Sequence, residues 1–276
     1  MSFSTSFFRF AQISRAAFLL FGTIAITICF PLIGNAQSGT AAAPKAPVEQ
    51  EPAEEQEMEV EEGFESIFDG ETLEGWTGNP DLWSVEEGAI TGTTTKESNL
   101  KFNQFITWDQ EVADFELRCS FKIESESPKG GNSGIQYRSK AYGEEGQHRI
   151  SGYQADIDAT MRFMGILFEE RGRKILCQRG QNVEITEAGK KNVVGRTGEE
   201  ADIVAAIDPA GWNEYVIRAQ GNHITQSING QVTAELTDNE EAKAAPSGLL
   251  SFQIHVGPPM RVQFKNIRIK NLAEEE

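Results

Sequence analysis

Phe115, Leu117, Cys119, Phe121 and Ile123 alternate with Glu116, Arg118, Ser120 and Lys122. A period of two over nine residues puts every apolar side chain on one side of the backbone only if the segment is a half-buried strand. The pattern recurs in Leu250-Phe252-Ile254-Val256 against Ser251-Gln253-His255, in Ile135-Tyr137 and in Tyr153-Ala155-Ile157. Turn-forming clusters separate these runs, among them Ser127-Pro128-Lys129-Gly130-Gly131-Asn132 and the Asn-Gly hairpin signal Ile228-Asn229-Gly230-Gln231. No long amphipathic helix and no internal repeat is present. The expected architecture is all-β: a two-sheet antiparallel β-sandwich, single domain, with about a dozen strands or more. In the last strand the apolar phase slips between Val262/Phe264 and Ile267/Ile269, which predicts a β-bulge near Lys265-Asn266.

The 276 residues divide by composition. Arg9 and Arg15 precede an apolar run from Ala16 to Ile33, followed by the small residues Gly34-Asn35-Ala36, so residues 1–36 read as an export signal. An uncleaved anchor through residues 16–33 is the rival reading, because the run has the length of a short membrane span. Either way an exported, periplasmic or otherwise extracytoplasmic protein is expected. Cys29, between Ile28 and Phe30, lacks the small neighbours of a lipidation site. Residues 37–62 hold eight glutamates against the single Lys45, with Ala, Pro and Gln, and cannot bury enough apolar surface to fold; they read as a solvated linker. Residues 63–272 make one domain and 273–276 an acidic tail. Overall 42 acidic residues face 25 basic ones, which disfavours a nucleic-acid partner or an anionic membrane surface. About half of that excess lies in the linker and tail, so acidity alone marks no site.

Cys119 and Cys177 both fall at core parity and read as small apolar residues, although an oxidising compartment would also permit a disulfide between them. The chain contains no nucleophile elbow, phosphate-cradling glycine loop, His-Glu-x-x-His or paired Cys-x-x-Cys motif. Of three histidines, His148 and His223 sit in turn-like polar surroundings, while His255 points away from the core face of its strand, beside Gln253 and ahead of Gly257-Pro258-Pro259-Met260. Parity also sets Gln136 and Arg138 opposite Ile135 and Tyr137, and Gln154, Asp156 and Asp158 opposite Tyr153, Ala155 and Ile157. If these strands share a sheet, one face carries amides, carboxylates, an arginine and a histidine. That is either an ordinary solvated outer face or a surface for sugar hydroxyls.

A second cluster follows in Glu169-Glu170-Arg171-Gly172-Arg173, where paired carboxylates flanked by arginines suit acid/base chemistry or a surface ion-pair hairpin equally. Asp156, Asp158, Glu169 and Glu170 supply oxygen ligands of the kind a hard divalent cation takes, but no EF-hand-like loop is present and no cofactor is expected. Trp76, Trp83, Trp108 and Trp212 offer rings for stacking on sugars, although core packing suits most of them better.

Phe68-Asp69-Gly70-Glu71-Thr72-Leu73-Glu74-Gly75-Trp76, followed by Leu82-Trp83-Ser84-Val85-Glu86-Glu87-Gly88-Ala89-Ile90, resembles the opening of the 3-keto-disaccharide hydrolase family. The resemblance continues in order through Gly131-Asn132-Ser133-Gly134-Ile135-Gln136-Tyr137-Arg138-Ser139, Gly152-Tyr153-Gln154-Ala155-Asp156-Ile157-Asp158, Trp212-Asn213-Glu214-Tyr215 and His255-Val256-Gly257-Pro258-Pro259-Met260, from about Phe64 to Leu272. It implies a concanavalin A-like jelly roll, agreeing with the strand pattern. It also implies cleavage of a 3-keto-glycoside, a carbohydrate already oxidised at carbon 3 by a partner sugar 3-dehydrogenase.

A ketone at C3 acidifies the C2 proton, so a modest base can form an enolate and expel the C1 oxygen, after which water adds back. On that chemistry Asp158 or Asp156 is the candidate base, His255 the acid or enolate donor, and Glu169 or Glu170 a further acid/base group. Gln136, Arg138, Gln154, Arg171 and Gln253 are the candidate substrate-binding residues. A direct two-carboxylate glycosidase, a carbohydrate-binding module and an envelope scaffold are the competing readings.

Overall fold

The computed structural model describes residues 61–272. The export or anchor segment, nearly all of the linker and the acidic tail lie outside the described residues. Among those described, seventeen strands and one short helix occur. In chain order they are β1 (Glu65–Ser66), β2 (Trp76–Thr77), β3 (Trp83–Glu86), β4 (Ala89–Thr94), β5 (Gln104–Val112), β6 (Phe115–Glu124), β7 (Asn132–Ala141) and β8 (Ile150–Asp158). β9 (Leu167–Glu170), β10 (Lys174–Cys177), β11 (Gln181–Ile185) and β12 (Lys191–Arg196) precede α1 (Glu200–Ala205). β13 (Asn213–Gln220), β14 (His223–Ile228), β15 (Gln231–Asp238), β16 (Gly248–Ile254) and β17 (Met260–Asn271) complete the domain.

The strands form two sheets, a ten-stranded one ordered β12-β11-β15-β14-β13-β6-β17-β4-β3 with β1 beside β17, and a seven-stranded one ordered β10-β9-β8-β7-β16-β5-β2. Every pairing is antiparallel except β11 with β15. This is the expected sandwich with one parallel junction added. The β14–β15 hairpin turns at Asn229 and Gly230, both with positive φ (49° and 78°), as the Asn-Gly signal requires. The bulge expected in the last strand is present: the β17–β6 register shifts between Lys265 and Arg268, with Asn266 at φ 54°.

Alternating residues of both sheets fill the space between them. Phe252 of β16 stacks on Phe264 of β17 with ring centroids 4.0 Å apart, and Trp76 stacks on Phe252 at 5.0 Å, so one aromatic column joins the sheets. Trp76, Trp83 and Trp108 are buried, which is the packing role expected of them. Cys119 and Cys177 are both buried and both free, so the disulfide is not formed. Burial pushes both thiols up, Cys177 to about 12, leaving them un-ionised and inert at neutral pH.

The seven-stranded sheet departs from the half-buried pattern, because β7, β8 and β16 are buried on both faces over most of their length. Gln136, Gln154, Gln253 and Asp156 therefore do not form a solvated outer face. The parity of β7 also breaks. Its register with β8 shifts between Tyr137 and Lys140, and Arg138 takes φ 46°. The bulge presses Ser139 against glycines on both neighbouring strands, Gly152 (φ 149°) on β8 and Gly248 (φ 146°) on β16. A Cβ on Gly248 would stand 2.4 Å from the Ser139 carbonyl oxygen, a main-chain contact that cannot swing aside. Gly248→Ala is expected to cost about 2–4 kcal/mol of folding free energy, measured as a lowered urea midpoint at unchanged slope; a change within 0.5 kcal/mol would show that the bulge is not held by that close approach.

Candidate active-site cleft

One face of the seven-stranded sheet opens into a cleft of about 490 Å³. Its floor is Asn132 at the start of β7 and Gln154, Asp156 and Asp158 of β8. Phe168 and Glu170 of β9 and Lys174 and Ile175 of β10 continue the lining, and His255, Val256, Gly257, Pro258 and Met260 form another wall after β16. The turn after β8 adds Thr160, Arg162 and Phe163, while Lys129 comes from the loop before β7. Four of the five acid/base candidates, Asp156, Asp158, Glu170 and His255, thus converge with one amide candidate, Gln154. Alternation on adjacent strands brings them to one face.

Asp156 is 5% exposed, and its Oδ1 accepts from Asn132 Nδ2 (3.2 Å) and Gln154 Nε2 (3.1 Å). Among the described residues no donor bonds Oδ2, which is left as the oxygen available to the cleft. Desolvation pushes this carboxyl up to about 8; the two hydrogen bonds oppose that rise, and the charges of Asp158 and Glu170 add to it. Glu170 is raised too, chiefly by burial, with nearby His255 and Arg171 and a long hydrogen bond from Asn103 Nδ2 (3.5 Å) pulling the other way. His255 is anchored through its backbone, whose N–H donates to the Asn132 carbonyl at 3.2 Å. Its Nδ1 donates to the Val256 carbonyl at 2.6 Å, so Nε2 is the ring atom left for chemistry.

Asp158 has different work. Its Oδ1 accepts from the backbone N–H and hydroxyl of Thr160 (2.7 and 2.8 Å), and its Oδ2 from the Phe163 N–H at 3.1 Å. It ties down the turn that brings Arg162 and Phe163 to the cleft, and both of its oxygens are occupied in doing so.

Five of the expected site residues lie outside the cleft lining. Arg138 is turned out of the cleft face by the β7 bulge. Its guanidinium donates to the carbonyls of Ala113 and Gly221 and pairs with Asp114, each at 2.7 Å, pinning two turns at the far end of the sandwich. Glu169 has the opposite parity to Glu170 and forms an ion pair with Arg173 at 2.9 Å. Arg173 also pairs with Asp238 (2.7 Å) and Glu240 (3.2 Å), so Glu169 belongs to a buried ionic knot that pins the β9–β10 hairpin to the end of β15. Arg171, at φ 59° in the β9–β10 turn, lies over the ring of Tyr142, 4.8 Å from its centroid, outside the cleft lining. Gln136 and Gln253 sit behind Gln154 rather than in the lining. With Glu169 turned away, the four carboxylates do not converge, and among the described residues no group of three or more His, Cys, Asp or Glu is arranged to hold a metal ion.

Parity reasoning passed over Lys129, Arg162 and Lys174, the cations of the cleft, because all three lie in or beside turns where alternation gives no direction. Asn132 was legible as a residue of the same parity as Gln136.

Asp156 has a stability signature. Its folded-state pKa lies above the unfolded value, so its favourable contribution is complete below about pH 4 and is lost as pH rises toward 8. Asp156→Asn keeps an acceptor at Oδ1 and is expected to equal the wild type near pH 4 and to exceed it by on the order of 5 kcal/mol at pH 8, in denaturation measured across pH. Parallel stability curves for the two proteins would refute a strained, buried carboxylate.

Residues 63–270 match the family described as the 3-keto-alpha-glucoside-1,2-lyase-like domain. A protein of Bacteroides thetaiotaomicron named 3-keto-disaccharide hydrolase is 34% identical over 83 residues, 28% of this chain and 27% of the relative, so the match spans about a quarter of that protein. Two crystal structures of a "putative glycosyl hydrolase" from Parabacteroides distasonis superpose with TM-scores of 0.51 and 0.50 at 18% and 20% identity. Each covers 76% of this chain, and 99% and 94% of its own, a likeness of fold. With a sandwich of that fold, ordered motifs along it and a match over the whole folded block, the chain belongs to the 3-keto-alpha-glucoside-1,2-lyase-like domain family.

Proposed function

We propose that this protein cleaves the glycosidic bond of 3-keto-glycosides by removing the C2 proton and eliminating the C1 oxygen. The observation that carries this reading is the presence in one cleft of two carboxyl groups, Asp156 and Glu170, both raised by burial, among three cations and a histidine. A carboxylate made more basic by desolvation suits abstraction of a proton from carbon, a task for which an ordinary aspartate is a weak base.

In this scheme Asp156 Oδ2 takes the C2 proton, and the C–H electron pair moves to form the C2–C3 double bond of an enolate. Lys129, Arg162 and Lys174 are the groups able to balance the negative oxygen. As the enolate collapses, the C1–O bond breaks, and Glu170 or His255 delivers a proton to the departing oxygen. Water then adds across the resulting double bond, so hydrolysis is net and no glycosyl cation forms. Phe163, Phe168, Pro258 and Met260 provide apolar surface for the faces of the sugar ring. The substrate must come from an enzyme that oxidises the C3 hydroxyl of a glycoside, a sugar 3-dehydrogenase. The leader-like N-terminal sequence supports action outside the cytoplasm.

The test is to supply a 3-keto-glucoside and its unoxidised parent in deuterated water. Only the keto compound is expected to be cleaved, with deuterium entering at C2. The rate constant kcat/KM should rise about tenfold per pH unit on the acid side and level off near pH 8. Asp156→Asn is expected to lower kcat about 10³-fold, and Glu170→Gln about 10²-fold. Cleavage of the parent glycoside would point to a direct two-carboxylate glycosidase. Ligand binding without turnover of either compound would make the domain a sugar-binding module.

A further inference from the structure

Beneath Asp156, three glutamines on three adjacent strands meet at a single atom. Gln136 Nε2 of β7 and Gln253 Nε2 of β16 both donate to Oε1 of Gln154 on β8, at 2.9 and 3.0 Å. All three side chains are at most 2% exposed. The Oε1 atoms of Gln136 and Gln253 are buried with no hydrogen-bond partner among the described residues. Unpaired buried acceptors cost free energy, and apolar side chains of similar volume would remove that cost. The arrangement is explained by what it does to Gln154. With two N–H groups converging on its oxygen, the Gln154 amide cannot rotate by half a turn without setting its own N–H₂ against two others. Its nitrogen is therefore fixed toward Asp156 Oδ1, 3.1 Å away.

Gly134 completes the device. It is the cross-strand partner of Asp156, and a Cβ there would lie 2.6 Å from Gln154 Cγ and 2.8 Å from its Nε2. The amide of Gln154 passes over β7 through the space this glycine leaves empty. Asn132 Nδ2 bonds Oδ1 as well, so both donors fall on one carboxylate oxygen.

We propose that Gln136, Gln154 and Gln253 are positioning residues that dedicate Oδ1 of Asp156 to accepting fixed amide N–H groups and so assign Oδ2 as the oxygen that takes and gives the proton. This rests on the proposed reaction for its catalytic meaning, but the network itself is a claim about Asp156 alone. The other charged and titratable groups around that carboxyl are Asp158 on its own strand, Glu170 on β9, Lys174 on β10, Lys129 before β7, Arg162 in the turn after β8, His255 after β16 and, from the opposite sheet, the buried Tyr215 of β13. None of them is altered by changing the glutamines.

The experiment is a ¹³C-carboxyl NMR titration of Asp156 in the wild type, Gln154→Met and the double variant Gln136→Leu/Gln253→Leu, with the resonance assigned by its loss in Asp156→Asn. Gln154→Met removes the donor at similar volume. The double variant keeps Gln154 but frees its amide to turn, and it also removes the two unpaired acceptors. Both are expected to raise the Asp156 midpoint by about one pH unit, with each single leucine variant raising it by less than half as much as the pair. Where turnover is measured, the acid limb of the pH–rate profile should move by the same amount, with kcat lowered about tenfold and KM within twofold. A midpoint unmoved in Gln154→Met, or a double variant that titrates like the wild type, would overturn the proposal. Because the titration needs no substrate, it decides the network even if the wild type does not cleave the keto-glycoside, an outcome that counts against the reaction instead.

Discussion

The stack of Phe252 on Phe264, 4.0 Å between centroids, ties β16 of one sheet to β17 of the other, and the geometry of the cleft follows from it. A strand whose Leu250, Phe252 and Ile254 are committed to the inter-sheet core must present Ser251, Gln253 and His255 on its other face. The same logic runs through Ile135 and Tyr137 on β7 and through Tyr153, Ala155 and Ile157 on β8. Each apolar commitment between the sheets thereby places a polar partner on the cleft side. The cleft is the reverse face of the core, and its precision is inherited from that packing.

Burial on both faces of the seven-stranded sheet then sets the chemistry. Asp156 loses most of its hydration and recovers only two amide hydrogen bonds, so its ionised form is disfavoured and its carboxyl is held near 8. The fold tolerates this because the surroundings are otherwise firmly held. Arg173 gathers Glu169, Asp238 and Glu240 into one knot beside the β9–β10 hairpin, and the knot keeps Glu169 away from the cleft while its neighbour Glu170 faces it. Asp158 spends both of its oxygens on the turn carrying Arg162. Neighbouring carboxylates on one short stretch of chain thus take different places, one tied into the surrounding structure and one facing the cleft.

Strand alternation read from the residues located Asp156, Asp158, Gln154, Gln136, Gln253 and His255 on a common face, because a period of two carries its own direction. It failed at Arg138, where one extra residue in β7 inverts the side chain and sends it to the opposite end of the sandwich. The glycines that make room for the bulge, Gly152 and Gly248, were in view, but a glycine reports permissiveness and not which strand presses against it. Lys129, Arg162 and Lys174 carry no such signal for a related reason, since residues in or beside turns have no parity.

From the sequence alone came the all-β sandwich, its hairpin and terminal bulge, the family resemblance and the set of polar residues sharing one face. These are local or pattern properties, encoded by alternation and turn chemistry over a few residues at a time. The tertiary structure decided which of those polar residues lose water, which carboxylate of the Glu169–Glu170 pair meets a cation, and which oxygen of Asp156 accepts the two amide hydrogen bonds. Those outcomes depend on what neighbouring strands bring within about 3 Å, and desolvation and hydrogen-bond direction have no counterpart in a linear pattern.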